Sequence, residues 1–401
     1  MAISQNFPDV RASLNLNFAR SKTLDPRITF ERASIGTYVD ENGLIKTAAA
    51  DEARFDHDPV TGESLGLLIE ESRTNLFTYS EQFDNNGAWS KSNSTINPNT
   101  TVSPDGTQTA DTLTINTGVT YGRIYRQNLG LASNVYTLSY YLKNTVKQGT
   151  HSIEFYDSSL NVFVAIPSGI LGESNPEWRR FTATVDCSAS GLSGLDDIRL
   201  NFRPLPSPSD GTNTVDIWGL QLEAGSFPTS YIPTSGSTVT RQPDNAQITG
   251  TNFTDFYNQN EGTWLCNFDY KGNNTSGSST LYSTALDQSD RNWLRINYTT
   301  GTPNTIRQAI NSDTDDSEIT VNSNTLNKIS QAYASGDQSV YINGSVAIES
   351  TRGISTNHAT LDIGNIVWSK GLNQTIITGY INKLSYYPER LTNDQLQNLT
   401  K

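Results

Sequence analysis

The chain has 401 residues, 35% of them hydrophobic and only 17% charged, with Ser, Thr, Asn and 29 Gly filling much of the difference. That length exceeds one ordinary core and implies two or three domains, and that composition suits strands and turns rather than helical bundles. Lys and Arg number 28 against 41 Asp and Glu, a net charge of −13 with no basic stretch, which excludes the phosphate-neutralising face of a nucleic-acid binder.

The N-terminus, MAISQNFPDVR, has neither the basic n-region nor the apolar h-region of a secretory signal, so lysis or a specialised route is the expected exit if the protein works outside a cell. No apolar run of about 18 residues is present to span a bilayer, so membrane insertion is not expected. Residues 1–75 hold short β-prone runs around Asn42-Gly43 and a second turn at Pro59 to Gly62. Asn-Gly supplies the positive φ angles of a tight hairpin. Large apolar residues are sparse here, so this segment reads as an extended arm with β-hairpins. Such an arm stays ordered only against another domain, another copy or a foreign partner.

Residues 76–236 alternate with period two. Tyr136, Leu138, Tyr140 and Leu142 share one face; so do Phe181, Ala183, Val185 and Cys187, and Ile198, Leu200 and Phe202. Half-buried strands at this spacing, punctuated by SPDG and SPSDG, predict an antiparallel β-sandwich. In WGLQLEAGSFPTSYIPT (218–234) the parity slips at Ile217–Trp218 beside Gly219. A bulge or a strand buried on both faces explains the slip, and Pro228 and Pro233 then end the pairing and make a stiff exit toward the next domain. Residues 237–249 read as the linker. Residues 250–401 form a second sandwich, with Trp264, Cys266, Phe268 and Tyr270 on one face and a hairpin at Asn343-Gly344. Thr392 and Gln395 have capping-box spacing, and Leu391 and Leu396 that of a hydrophobic staple, so one short C-terminal helix is predicted from about 393 to 399. NNTSGSS (273–279) reads as a flexible loop. The predicted fold class is thus all-β: an extended N-terminal arm, two antiparallel, jelly-roll-like β-sandwiches and one terminal helix.

Three blocks carry resemblances. LNFARSKTLDPRITFERASIGTYVDENGLIKTAAADEARFDHDPVTGESLGLLIEESRTNLF resembles an N-terminal block of bacteriophage structural proteins, marine cyanophages in particular. WGLQLEAGSFPTSYIPTSGSTVTR resembles the end of the carbohydrate-binding-module-like jelly roll that follows that block, and GTWLCNFDY through LSYYPERLTNDQLQNL is similar to a concanavalin A-like, laminin-G-like domain. The resemblance implies a virion component: a tail fibre, appendage or capsid-surface protein that docks by its arm and displays its sandwiches to host-surface glycans. It also implies other virion proteins as partners and symmetric homo-oligomers such as trimers. Fold resemblance alone does not assign function, so a free-standing lectin-like adhesin and a polysaccharide depolymerase stay as alternatives.

Catalysis is not expected. His57, His151 and His358 lie in three regions, no GxSxG occurs, and the ExDxxE strand motif of concanavalin A-like glycanases is absent. His57, in FDHDP, reads as a turn histidine beside solvated carboxylates. Cys187 and Cys266 have no CxxC or Cys/His spacing, so neither zinc nor a cofactor is expected, and each reads as a small apolar strand residue of a chain folded in a reducing cytoplasm. The acidic stretches DQSDRN (287–292) and NSDTDDSE (311–318) could offer calcium oxygen ligands, but acidic loops are more often just solvated, so no metal is assigned. The candidate glycan-binding face is Tyr141, Glu154, Tyr156, Arg199, Asn201 and Arg203, all opposite the apolar parity of their strands. Rings under sugar faces, with amides, carboxylates and guanidiniums for hydroxyls, are what such binding needs. The competing interpretation is a wet sheet face stabilised by cross-strand pairs.

Overall fold

Sparse apolar residues in the first seventy positions find their core within the chain itself. A computed structural model of the protein describes residues 7–146, 149–171, 177–271, 277–286, 291–298, 304–310, 313–354, 357–365 and 376–401. It is almost entirely antiparallel β, in two units. The first unit comprises Met1–Gly43, Thr47–Ser72 and Gln242–Lys401; the second comprises Leu44–Lys46 and Arg73–Arg241. The expected boundaries at 75/76 and across a 237–249 linker therefore shift. Residues before Ser72 complete the C-terminal sandwich, and the supposed linker is two strands, Val239–Arg241 paired with Arg73–Asn75 and Asn245–Thr249 paired with Thr29–Glu31.

In the first unit, Leu14–Asn17 and Ser64–Ile69 both pair with Gly379–Tyr387, which also pairs with Glu261–Tyr270. An opposing sheet runs from Thr29–Glu31 through Asn245–Thr249, Thr360–Ile363 and Gly277–Ala285 to Asp313–Thr320. Leu14, Leu16, Phe18, Ile28, Phe30, Leu67 and Ile69 join one core with Trp264, Phe268, Leu294 and Ile381. At about 1.5–3 kcal/mol per buried large side chain, those seven contribute roughly 10–20 kcal/mol before chain entropy is counted. A buried ion network adds a polar tie. Asp244 accepts from Arg32 at 3.1 Å and Arg54 at 2.6 Å, and Arg54 also meets Glu70 at 2.8 Å, all with side chains at most 3% exposed. Burial works against the Arg54 charge, and Asp244 and Glu70 outweigh it, holding its pKa above the usual value.

The Asn343-Gly344 hairpin and the terminal helix form as predicted; Gly36–Val39 and Ile45–Ala48 also pair around Asn42-Gly43, but through the longer loop 40–44, in which Gly43 takes a φ of 77° and Asn42 does not turn positive. Asn343 and Gly344 take φ of 48° and 82° between Asp337–Ile342 and Ser345–Ser350. The helix spans Asn393–Thr400 with both arms of the Thr392/Gln395 capping box made, and Leu391 and Leu396 bury in one cluster. Two one-turn helices, Phe18–Ser21 and Thr251–Thr254, lie below the reach of periodicity. His57 differs from its expected turn: it is buried in the strand Arg54–His57, while the turn is made by Asp58, which accepts from the Val60 and Thr61 amides. Asp56 is buried too, accepting from Tyr380 Oη and the Val39 amide. Of NNTSGSS, 273–276 lie outside the described residues and 277–279 begin a strand.

The second unit is a sandwich of two five-stranded sheets. One is ordered Arg179–Asp186, Val135–Val146, Thr214–Ala224, Ala110–Ile115, Ser94–Thr101; the other Val162–Leu171, Gly149–Asp157, Asp197–Pro204, Gly122–Arg126, Ser90–Ser92. Leu138, Tyr140, Val185 and Leu222 from the first meet Ile124, Phe155, Leu200 and Phe202 from the second in one core. The parity slip is a bulge: pairing with Val135–Val146 shifts between Ser139 and Tyr141, opposite Gly219, whose φ of 62° an L side chain adopts only with strain. The ladder ends at Ala224, ahead of Pro228 rather than at it, and the chain then folds back on its own unit instead of leaving it. Glu223 and Gln221, both fully buried, hold it there: the Thr229 amide and hydroxyl donate to Glu223 at 3.0 and 2.5 Å, and the Ile232 amide donates to Gln221 at 2.6 Å. Two polar residues inside a greasy strand are thus the acceptors for the segment that follows it.

Candidate functional site

The outward face of the second sheet of this sandwich gathers five of the six predicted residues. Ile153, Phe155, Ile198, Leu200, Phe202 and Ile124 point into the core. Alternation therefore sends Ser152, Glu154, Tyr156, Arg199, Asn201, Arg203, Arg123 and Tyr125 to the opposite face. Register aligns them in rows. Glu154, Arg199 and Tyr125 lie side by side across three strands, ending at Ser90 on a fourth. The next row runs Ser152, Asn201, Arg123, Ser92, and Thr150 faces Arg203 beyond it.

Arg199 organises the first row. Its guanidinium lies 4.4 Å from the Tyr156 ring centroid, 3.1 Å from Asp197 and 3.7 Å from Glu154. The Arg199–Glu154 pair, each side chain 21% exposed, contributes about 1 kcal/mol or less, and with the more buried Asp197 it fixes a planar donor against a ring. Tyr156 in turn donates to Asn161 at 3.0 Å, and Phe163, 55% exposed, sits directly across from it. Asp157 pins the adjoining turn by accepting from Ser159, Leu160, Ser193 and Gly194, and the Ser159 and Ser193 hydroxyls hold its carboxyl well below the usual carboxylate range.

The second row has a different balance. The Arg123 guanidinium stacks over Tyr121 and Tyr125 at 5.5 and 5.3 Å. Among the described residues no carboxylate pairs with Arg123 or Arg203, and the buried Arg123 Nε and Asn201 Nδ2 find no acceptor. Asn201 is only 5% exposed despite facing outward.

Tyr141 does not join them. It belongs to the other sheet, edge-on to Trp218 at 5.5 Å and beneath the Arg180 guanidinium at 5.6 Å. Trp218 in turn packs tilted against Tyr231 of the returning segment at 4.5 Å, so Tyr141 serves packing there. Parity places a residue on a face but does not say which sheet its strand joins. Conversely, Tyr121, Arg123 and Tyr125 were missed although YGRIYR alternates visibly around Ile124; the run is short, and its neighbours are distant in sequence.

A cleft of about 520 Å³ in the first unit is lined by Asp315, Asp337, Gln338, Glu349, Arg352 and Asn393. Its charges answer one another: Arg352 meets Asp315 at 3.0 Å and Arg390 meets Asp337 at 2.7 Å. Asp316, in the acidic stretch weighed for calcium, pairs with Arg307, while residues 287–290 and 311–312 lie outside the described residues. Among the described residues no three His, Cys, Asp or Glu side chains gather to hold a metal, and no helix is long and apolar enough to cross a membrane. Cys187 and Cys266 are buried free thiols. His358 Nδ1 lies 2.9 Å from Thr284 Oγ1, and His151 is buried beside Tyr140 and Phe181.

No protein-family model matches the chain, and no curated protein sequence matches it. Solved structures share parts of its backbone. A Ruminococcus gnavus IT-sialidase CBM40, bound to alpha2,3 sialyllactose, is 14% identical over 37% of this chain and 86% of its own, with a TM-score of 0.30. Domain 4 of the Geobacillus stearothermophilus GH43 extracellular arabinanase AbnA, in complex with arabinotriose, is 15% identical over 44% and 82%, at 0.32. A heptameric SAP-like pentraxin from Limulus polyphemus is 16% identical over 35% and 69%, at 0.29. Likenesses this distant assign this chain neither a fold family nor a ligand.

Proposed function

We propose that this protein binds glycans on the outer face built by Gly122–Arg126, Gly149–Asp157 and Asp197–Pro204, and that it does so without catalysis. The observation that carries the proposal is the Phe163–Tyr156–Arg199–Glu154 constellation. Two aromatic residues directly opposite on adjacent strands, one more than half exposed, share this face with a carboxylate and with a guanidinium held over one of the rings. Rings cover the apolar face of a pyranose while planar polar groups beside them take its hydroxyls, and strand-borne groups are held in place before binding. Binding rather than hydrolysis is supported by the carboxyl groups: Glu154 and Asp197 lean on the same guanidinium. A glycosidase needs two carboxyls facing each other across the scissile bond in different protonation states.

The resemblance of the N-terminal block to phage structural proteins supports a setting on a virion surface, as a homo-oligomer among other virion proteins. Leu14–Asn17, Thr29–Glu31 and Ser64–Ile69 are built into the chain's own sheets, so attachment on this account uses a folded surface rather than a free arm. Printed arrays of bacterial surface polysaccharides test the binding. Wild type is expected to retain a subset that Tyr156→Ala loses while melting normally; equal retention by both moves the site off this face. Antibody labelling of purified particles tests the setting: decorated virions are expected, and bare virions with the protein free in the lysate favour the free-standing adhesin.

A further inference from the structure

We infer that the glycan carries an acidic group, a carboxylate or a sulfate, and that Arg123, Asn201 and Arg203 form its seat; this rests on the glycan-binding function proposed above. Row two is a run of donors. Arg123 and Asn201 are directly opposite one another on adjacent strands, and Arg203 is two residues beyond Asn201 on the same face. Neighbouring strands are about 4.8 Å apart and alternate residues about 7 Å, so the backbone spacing puts the three side chains within reach of one small anion. Ser152 and Ser92 extend the row on either side.

Charge and hydrogen bonding point the same way. In a chain with 13 more acidic than basic groups, Arg199 has two carboxylates while Arg123 and Arg203 have none among the described residues. A guanidinium and an amide Nδ2 are donors only. Arg123 Nε and Asn201 Nδ2 are buried and lack acceptors, an arrangement that costs stability unless something supplies lone pairs. A neutral sugar hydroxyl can accept one such bond, but its own proton then needs an acceptor. A carboxylate or sulfate brings several lone pairs and no proton, and it matches the planar guanidinium. Tyr121 and Tyr125 hold that guanidinium in place, so little side-chain freedom is lost on binding.

The test uses the full chain and paired probes: oligogalacturonate against its carboxyl-reduced galactan, and a carrageenan oligosaccharide against its desulfated form, titrated calorimetrically. One acidic member is expected to bind at least tenfold more tightly than its neutral partner, and the arm that responds tells carboxylate from sulfate. Arg123→Gln and Asn201→Leu are expected to weaken the acidic probe about ten- to a hundredfold, as loss of a charge-assisted hydrogen bond does, and to leave the neutral one within twofold. Arg203 is exposed, so Arg203→Gln keeps the fold and gives an independent arm with a smaller loss in the same direction. Equal affinity within both pairs, or an acid preference untouched by all three variants, overturns the inference and leaves glycan binding standing. No binding to any probe, together with a silent polysaccharide array, overturns both.

Discussion

Asn201→Leu is expected to make the unliganded protein more stable while removing its acid-selective binding. The side chain is 95% buried on the outward face, and its Nδ2 has no acceptor among the described residues. Leaving such a donor unpaired costs about 1–3 kcal/mol. Leucine keeps the branched heavy-atom outline in a somewhat larger volume, needs no partner and adds apolar burial, so a net gain of about 1 kcal/mol is expected after some loss from imperfect fit. For a unit of roughly 170 residues that is a rise of about 2–4 °C in the melting transition. Differential scanning calorimetry and urea unfolding of the full chain, without glycan, measure it. Destabilisation by 1 kcal/mol or more would show that the amide is satisfied in the free protein, and the case for an unfilled donor row would fail. Functional sites commonly hold such local conflicts, which ligand binding relieves.

Three further outcomes follow from the packing. Burial holds the His151 pKa down at about 4 and pushes Asp111 up to about 6. Between pH 6.5 and 4 the unfolded chain takes a proton at His151 that the folded chain refuses, so that group removes up to about 3 kcal/mol on acidification. Between pH 6 and 3.8 the folded chain takes one at Asp111 that the unfolded chain refuses, adding a similar amount. The two oppose each other in wild type; Asp111→Asn should lose stability from pH 7 to 4 relative to His151→Phe, and identical urea-midpoint profiles for the two variants would refute this. Glu223→Ala strips the acceptor from the buried Thr229 amide and should cost about 2–3 kcal/mol in urea unfolding, a loss below 0.5 being contrary. Asp244→Ala leaves two buried guanidiniums without their shared carboxylate and should cost about 3–5 kcal/mol, against less than 1 if the network is idle.

What the sequence shows clearly is whatever depends on neighbours along the chain. Alternation at Tyr136–Leu142 and Ile198–Phe202 marked faces correctly because parity is local, and so are the Asn343-Gly344 turn and the Thr392 cap. The bulge at Gly219 was visible as a parity slip. Pairing across long separations was not. Leu14–Asn17 meets Gly379–Tyr387 from the far end of the chain, and nothing local says so. That the first seventy residues are poor in apolar side chains leaves another domain, another copy or a foreign partner open, and only long-range pairing selects the chain's own C-terminal sheets. Tyr141 failed for the same reason: its parity was right and its sheet unknown. Arg123 and Tyr125 complete the candidate face only once register sets them beside Asn201 and Arg199.

Hydrogen–deuterium exchange of the full chain, with and without the tightest glycan from the arrays, tests most directly where recognition occurs. Slowed exchange is expected in 121–126, 150–157 and 197–203, with little change at 313–318 and 336–352. Protection confined to those last two stretches, around the Asp337 and Arg352 cleft, would contradict the assignment of the face.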